Sequence, residues 1–273
     1  MHYKVITGFL LFIFLLPVHH SISAQITLKQ TIRDEASMVM ADPLGNIYWV
    51  NKGSLTKYDP AKKTTTHYTN RRFGDISMAD VSDPLNIILY FRDFGEVILL
   101  DNHLSVKDPG RSSADVFVAE EPSLVCASRQ EGFWAYFPLS TRLKRYDFRF
   151  EVTARSPVIQ QLLPGLEEPV FMTESRNRVY LSDYYTGVAV FDKFGDYLFL
   201  INLTGLKRFQ VLNNALVYLK NDKLKIFDFL LEEENVFLLP ETGVKSAWVQ
   251  GKKLILLNPE GIHIYELSQK IVP

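Results

Sequence analysis

The chain repeats one hydrophobic pattern six times. Each copy has an apolar and aromatic segment, a short polar turn, and a second apolar segment that ends in an acidic residue. In the first copy, residues 46–50 read NIYWV and residues 55–59 read LTKYD. Short apolar runs bounded by turn residues are typical of β-strands. The six pairs are 46–50 and 55–59, 87–91 and 97–101, 133–137 and 143–147, 179–183 and 188–192, 216–219 and 224–228, and 254–257 and 262–266.

The length of the repeat predicts the fold class. The terminal acids are 36 to 46 residues apart, and they are Asp59, Asp101, Asp147, Asp192, Asp228 and Glu266. A period near 40 residues that contains only strand-like segments is typical of β-propeller blades. Helical repeats of this length would place apolar residues at i, i+3, i+4 and i+7, and these segments do not. The sequence therefore predicts an all-β, six-bladed β-propeller.

Further strand-like segments complete each copy to a four-stranded antiparallel blade. Inner strands are predicted at 37–41, 76–79, 123–127, 170–173, 209–212 and 245–249. Outer strands follow the first five copies, although the second one, near 104–107, is weak. The sixth copy has no following strand, whereas an unassigned strand-like segment, Ile26–Ile32, precedes the first copy. We therefore expect this segment to complete the last blade and to close the ring, which protects the strand edges.

The first 24 residues have the pattern of a secretory signal peptide. One lysine precedes an apolar stretch at 5–18, and small residues follow up to Ala24. An uncleaved anchor is the alternative, but a membrane span needs about 20 apolar residues. The sequence thus predicts a signal peptide at 1–24, a propeller domain at 25–273, and export to the periplasm or the outside of a bacterial cell.

Two copies carry a more specific motif. Residues 42–50 read DPLGNIYWV, while residues 179–183 read VYLSD and residues 187–195 read GVAVFDKFG. These segments resemble the Asp-x-x-Gly-Asn-Ile-Tyr-Val segment of NHL-type propeller repeats; the other four copies lack the Gly-Asn pair. The resemblance implies six blades and a binding or scaffolding role. The motif residues are expected to be structural, because glycine and asparagine supply positive φ in turns.

Composition and charge exclude several classes of partner. The chain has 30 basic and 31 acidic side chains, a net charge of −1, which gives no electrostatic case for nucleic acid or an anionic membrane. No apolar run after residue 24 approaches the length of a membrane span, so we expect none in the mature chain. The aromatic content of 13% favours strands over helices.

Residues that could carry catalytic chemistry are sparse. The single cysteine, Cys126, lies in an apolar run, which favours a buried thiol over a nucleophile. After the leader, His67, His103 and His263 fall in three different copies without metal-ligand spacing. We therefore predict no catalytic residue, no metal ligand and no cofactor.

One enzymatic alternative rests on acidic residues that precede the predicted inner strands. These are Asp34, Glu35, Asp75, Glu120, Glu121, Glu167 and Glu168, while later copies offer Lys207, Arg208 and Lys245 instead. Converging carboxylates can hold Ca²⁺, as in lactonase-like six-bladed hydrolases, so a Ca-dependent lactonase or esterase is the alternative function. Solvated loop residues are the simpler interpretation, because asparagine ligands of such hydrolases are not visible at these positions.

The favoured interpretation is a non-enzymatic protein that binds a protein or glycan of the cell envelope. In a four-stranded blade, the connections into the inner strands and the turns between the second and third strands share one face. Tyr, Phe and Arg are enriched in binding hot spots, and loops on a rigid scaffold often carry function. The predicted partner-binding residues on this face are Arg71, Arg72, Phe73, Arg92, Phe94, Tyr184, Tyr185, Lys207, Arg208 and Phe209. The alternative is that the aromatic side chains pack under their own loops and that the arginines are only solvated.

Overall fold

A computed structural model describes residues 21–22, 25–108, 110 and 112–272, and it shows a six-bladed β-propeller. Each predicted repeat forms one antiparallel sheet, whose strands follow one another from the central channel to the rim. The fold class is therefore confirmed. The predicted signal peptide at 1–24 lies outside the described residues except for β1 (Ser21–Ile22), which runs parallel to an outer strand of the fifth blade.

The blades are numbered I to VI along the chain. The closing strand β2 is Ile26–Ile32. Blade I contains β3 (Met38–Ala41), β4 (Ile47–Asn51), β5 (Ser54–Asp59) and β6 (Thr64–Thr69), and blade II contains β7 (Met78–Asp80), β8 (Ile87–Phe91) and β9 (Glu96–Leu100). Blade III contains β10 (Leu124–Ala127), β11 (Phe133–Phe137), β12 (Arg142–Tyr146) and β13 (Val152–Arg155), and is followed by a short helix, α1 (Ile159–Leu162). Blade IV contains β14 (Pro169–Ser175), β15 (Arg178–Asp183), β16 (Gly187–Asp192) and β17 (Tyr197–Ile201). Blade V contains β18 (Gln210–Leu212), β19 (Ala215–Lys220), β20 (Lys223–Asp228) and β21 (Glu233–Leu238), and blade VI contains β22 (Ser246–Gln250), β23 (Lys253–Asn258) and β24 (Gly261–Leu267).

The ring closes through the N-terminal strand, as predicted. β2 pairs antiparallel with β24 and becomes the outer strand of blade VI, from Ile26 opposite Leu267 to Ile32 opposite Ile262. Blade II departs from the regular pattern, since its outer strand is reduced to one bridge between Leu100 and Val106. The weak hydrophobic pattern near 104–107 had indicated this.

In blades II and III the second strand is apolar along its whole length, because neighbouring blades cover both of its faces. All five residues of β8 and all five of β11 are buried. Side chains from adjacent blades interlock there, for example Met78 and Leu99 of blade II with residues of blade III. Such continuous apolar strands are expected where a sheet is buried on both sides.

In blades I to V, the acid that ends the repeat holds the turn between the third and fourth strands. Asp192, for example, accepts hydrogen bonds from the backbone N–H groups of Phe194 and Asp196, at 2.8 and 2.9 Å. Short carboxylates favour turns because they can bond backbone donors two residues further along the chain. Blade VI has no such turn, because its outer strand comes from the N-terminal end of the domain. There Glu266 instead pairs with Lys29 of β2 at 2.8 Å.

Segment 42–50 of blade I has a structural role. Asp42 is fully buried and accepts hydrogen bonds from the backbone and side chain of Asn46 and from the hydroxyl of Tyr48. Burial and the neighbouring Asp42 carboxylate raise the pKa of Tyr48 far above its ordinary value. Gly45 adopts a φ of +86°, which supports its expected role in the turn.

Within the described residues, no helix is both long and apolar enough to cross a membrane.

Candidate functional site

The upper face of the propeller is the face that carries the connections into the inner strands and the turns between second and third strands. By strand order, all ten predicted partner-binding residues belong to segments at this end of the blades. They form two groups, one at the boundary of blades I and II and one at the boundary of blades IV and V. These boundaries lie three blades apart, on opposite sides of a six-bladed ring.

The first group is an aromatic cluster with arginine at its edge, called here the Phe73 cluster (Arg72, Phe73 and Phe94). The ring of Phe73 lies 5.9 Å from that of Phe94 and 5.7 Å from that of buried Phe91. The guanidinium of Arg72 lies over the Phe73 ring at 5.4 Å. Phe94 is 52% exposed although it is a large apolar side chain. The neighbouring Arg71 and Arg92 are also exposed.

The second group is the tyrosine pair, Tyr184 and Tyr185, in the turn between β15 and β16. Their rings meet edge to face at 5.2 Å, and Tyr185 is 81% exposed. Asp183 fixes this turn, because its carboxylate accepts hydrogen bonds from the N–H groups of Tyr185 and Thr186, both at 2.9 Å. Burial opposes ionisation of Asp183, but these backbone donors outweigh it and hold its pKa below its usual range. Lys207 is exposed on the next connection.

Two of the predicted residues lie elsewhere than expected. Phe209 is only 3% exposed and packs edge to face on Phe171 at 5.0 Å, between blades IV and V. The prediction of Phe209 as an exposed contact residue is therefore wrong, because the apolar side chain is drawn into the space between two blades. Arg208 is half-buried and lines the central channel rather than the outer surface of the loop.

The central channel contains a cavity of about 180 Å³ lined by inner-strand residues from all six blades. Each inner strand has one edge without a partner strand. Polar side chains of adjacent blades form hydrogen bonds with some of the backbone N–H and C=O groups along that edge. Gln210 of blade V bonds both the N–H and the C=O of Val249 in blade VI, at 2.8 and 3.0 Å. Asp80 of blade II accepts from the N–H of Ala127 at 2.9 Å, and Glu174 of blade IV accepts from that of Arg129 at 3.1 Å. These polar residues therefore join neighbouring blades.

Arg208 reaches across the upper part of the channel. One guanidinium nitrogen lies 2.9 Å from the sulfur of Met38 in blade I, and the guanidinium lies over the ring of Phe171 in blade IV at 5.5 Å. Burial lowers the pKa of Arg208, and the negative charge of Asp80 offsets part of this effect. No local pattern of residues indicates this arrangement, since Arg208 and Met38 are 170 positions apart.

Three of the acidic residues near the channel mouth, Asp34, Glu35 and Asp75, line one surface cavity of about 910 Å³. Asp34 accepts a hydrogen bond from the indole of Trp49 at 2.7 Å, and Glu120 accepts from Ser140 and forms an ion pair with Lys144 at 3.4 Å. In the described part of the chain, no three histidine, cysteine or acidic side chains are grouped so as to hold a metal ion. Cys126 is buried, and burial raises the pKa of its thiol well above the usual value.

Comparisons with known proteins show similarity in fold only. No family model and no curated protein matches the chain. Among solved structures, a chain of the mitotic checkpoint complex matches with a TM-score of 0.61 at 7% identity, over 99% of this chain and 98% of that one. A streptogramin B lyase matches with a TM-score of 0.55 at 12% identity, over 90% and 88% of the two chains. BamB from Moraxella catarrhalis matches with a TM-score of 0.53 at 13% identity, over 86% and 84%. At such low identity these likenesses identify the chain as a β-propeller and assign it no activity.

Proposed function

We propose that this protein is an exported, NHL-like propeller that binds a protein or glycan of the bacterial cell envelope through its upper face, without catalysing a reaction. The observation that carries the proposal is the Phe73 cluster. It presents a half-exposed phenylalanine, a second aromatic ring and an arginine on short connections of a rigid scaffold.

The physical argument is that exposed aromatic and arginine side chains gain most when a partner covers them. About half of the Phe94 surface is exposed in the free protein, so a partner that covers it removes apolar surface from water. The turn that holds it is short: a single 3₁₀ turn, Arg92–Phe94, ends at Gly95 in the left-handed conformation. Little conformational entropy is then lost on binding, which favours affinity. The tyrosine pair offers a second contact of the same kind across the ring.

Export rests on the sequence of residues 1–24, and the binding role accords with the resemblance of blades I and IV to NHL repeats. The protein should therefore be recovered from the periplasm or the medium, starting at Gln25. The intact mass of the recovered protein tests the export part of the proposal. A mass that retains residues 1–24 would contradict cleavage after Ala24.

The binding part is tested by Phe94→Ala and Tyr185→Ala, one for each group. We expect each variant to keep the wild-type melting temperature and to bind the partner captured from the envelope of the source cell more weakly. A buried aromatic hot spot contributes about 2 kcal/mol, which corresponds to roughly 30-fold in Kd.

Phe194→Ala is the matched control for this experiment. Phe194 is 59% exposed and has the Lys193 ammonium over its ring at 5.0 Å, but it lies in a turn at the lower face. The Phe194→Ala substitution therefore removes the same type of ring from a similar surface environment. If Phe94→Ala, Tyr185→Ala and Phe194→Ala all bind the captured partner equally well, the upper face is not the binding site.

A further inference from the structure

A separate cleft lies between blades V and VI, where the connection into β18 faces the upper ends of β19 and β22. Its volume is about 260 Å³. Four basic residues line it, and no acidic residue does; the four are Lys207, Arg208, Lys220 and Lys245. The Lys220 ammonium lies 4.0 Å from the position that a β-carbon would take on Gly205, so it faces the connection that carries Lys207 and Arg208.

Nearby carboxylates offset the positive charge of this cleft only in part. Asp80 acts on Arg208 and Glu234 acts on Lys220 through space, and Lys245 also lines a second cavity that contains acidic residues. In the described part of the chain, however, none of the four basic residues has a carboxylate within ion-pair distance. Two of the neighbouring acids make other contacts: Glu234 bonds Tyr218 and Lys225, and Asp222 accepts from the N–H of Val244 at 3.1 Å. Like charges gathered around a concave surface attract a counter-ion, because the low-dielectric walls focus their field.

One side chain that lines the cleft has hydrogen-bond donors without oxygen acceptors. Arg208 contacts the Met38 sulfur and the Phe171 ring, and within the described residues it has no hydrogen bond to an oxygen. Enclosed polar groups in native proteins nearly always have hydrogen-bond partners, so the unused donors of Arg208 require an explanation.

We propose that this cleft binds a small oxyanion, a carboxylate or a phosphate group, with Arg208 at its base and the three lysines around it. This site is distinct from the Phe73 cluster and goes beyond the binding function proposed above. A planar guanidinium donates paired hydrogen bonds to such groups, and the Phe171 ring beneath it favours one orientation of that plane. The volume is below the roughly 300 Å³ at which pockets for drug-sized ligands begin, so a single sugar acid or phosphate is the size expected.

The probes are inorganic phosphate and D-galacturonate, with D-galactose as the neutral control, since it has a hydroxymethyl group in place of the carboxylate. Each is titrated into the mature protein at low salt, with binding measured by calorimetry and by tryptophan fluorescence. We expect at least one anion, and not D-galactose, to bind saturably. Arg208→Gln and Lys245→Gln should each weaken binding by roughly 10-fold, as expected for loss of a charged hydrogen bond. Trp248→Phe should remove the fluorescence change.

Lys63→Gln is the matched control, because it removes one charge from an exposed lysine in the turn between β5 and β6, at the lower face. If Arg208→Gln fails to fold, Lys245→Gln and Lys220→Gln keep the test decisive, since both lysines are exposed. Absence of saturable binding by both anions would overturn the proposal. Equal weakening by Lys63→Gln and Lys245→Gln would also overturn it, because only net charge would then matter. Phe94→Ala should leave anion binding unchanged, so the two sites can fail independently.

Discussion

Replacement of Phe209 by alanine distinguishes a core residue from a surface contact. Phe209 was predicted from sequence to face a partner, whereas the structure buries it between blades IV and V. A buried phenylalanine removes roughly 150 Å² or more from water. At about 25 cal/mol per Å², this corresponds to about 4 kcal/mol. Phe→Ala substitutions in cores cost about 3–5 kcal/mol, so the two approaches agree.

A loss of this size is readily measured. Domains of this length lose about 2–4 °C in melting temperature for each kcal/mol, so Phe209→Ala should melt roughly 6–20 °C below wild type. Urea unfolding followed by tryptophan fluorescence gives the free energy directly. Phe209→Leu is the control, because it nearly preserves apolar volume and should cost less than about 1.5 kcal/mol.

A double-mutant cycle with Phe171→Ala tests the specific contact. The edge-to-face pair at 5.0 Å should show a coupling energy of about 0.5–1.5 kcal/mol. The reasoning is refuted if Phe209→Ala changes the free energy of unfolding by less than about 0.5 kcal/mol, as expected for an exposed residue.

Two further predictions concern the closure of the ring and the single thiol. Removal of residues 25–34 deletes β2 and leaves β24 with an exposed apolar edge, so it should lower the melting temperature and cause aggregation. The control Lys29→Ala removes only the exposed ion pair and should have neither effect. A monomer of unchanged stability after the deletion would contradict closure of the ring by β2. Because burial raises the pKa of the Cys126 thiol, iodoacetamide at pH 8 should label this thiol in the unfolded protein and not in the native protein. Rapid labelling of the native protein would show instead that the thiol is accessible.

The propeller could be predicted from sequence because a blade is a local unit. Strand, turn and strand follow one another within about 40 residues, and the acid at the end of each of the first five copies stabilises a turn inside that copy. Even the exception could be anticipated: the sixth copy lacked an outer strand and Ile26–Ile32 lacked a partner, and the two pair in the structure. The strand boundaries differed by one or two residues, as for the inner strand of blade V, predicted at 209–212 and found at Gln210–Leu212.

The candidate sites were only partly predictable. The order of the strands shows which loops lie at the upper face, and this could be predicted from sequence. Phe94 and Tyr185 are exposed in these loops, in agreement with the prediction. Whether a loop side chain points outwards or inwards depends on the space left by the neighbouring blade. The pattern of the loop 202–209 contains no information on that space, and so Phe209 was misassigned.

The sequence by itself determined the fold class, the number of blades and the way the ring closes, because these depend on short-range periodicity and on pairing that leaves no strand edge unprotected. The tertiary structure decided what the channel and the cleft contain. Arg208 meets Met38 across 170 positions of sequence, and Gln210 bonds Val249 across 39. Lys220 and Lys245 come together with Lys207 only where two blades meet. Such contacts depend on the radius of the ring and on the packing of each blade against the next, and no local pattern of residues records either quantity.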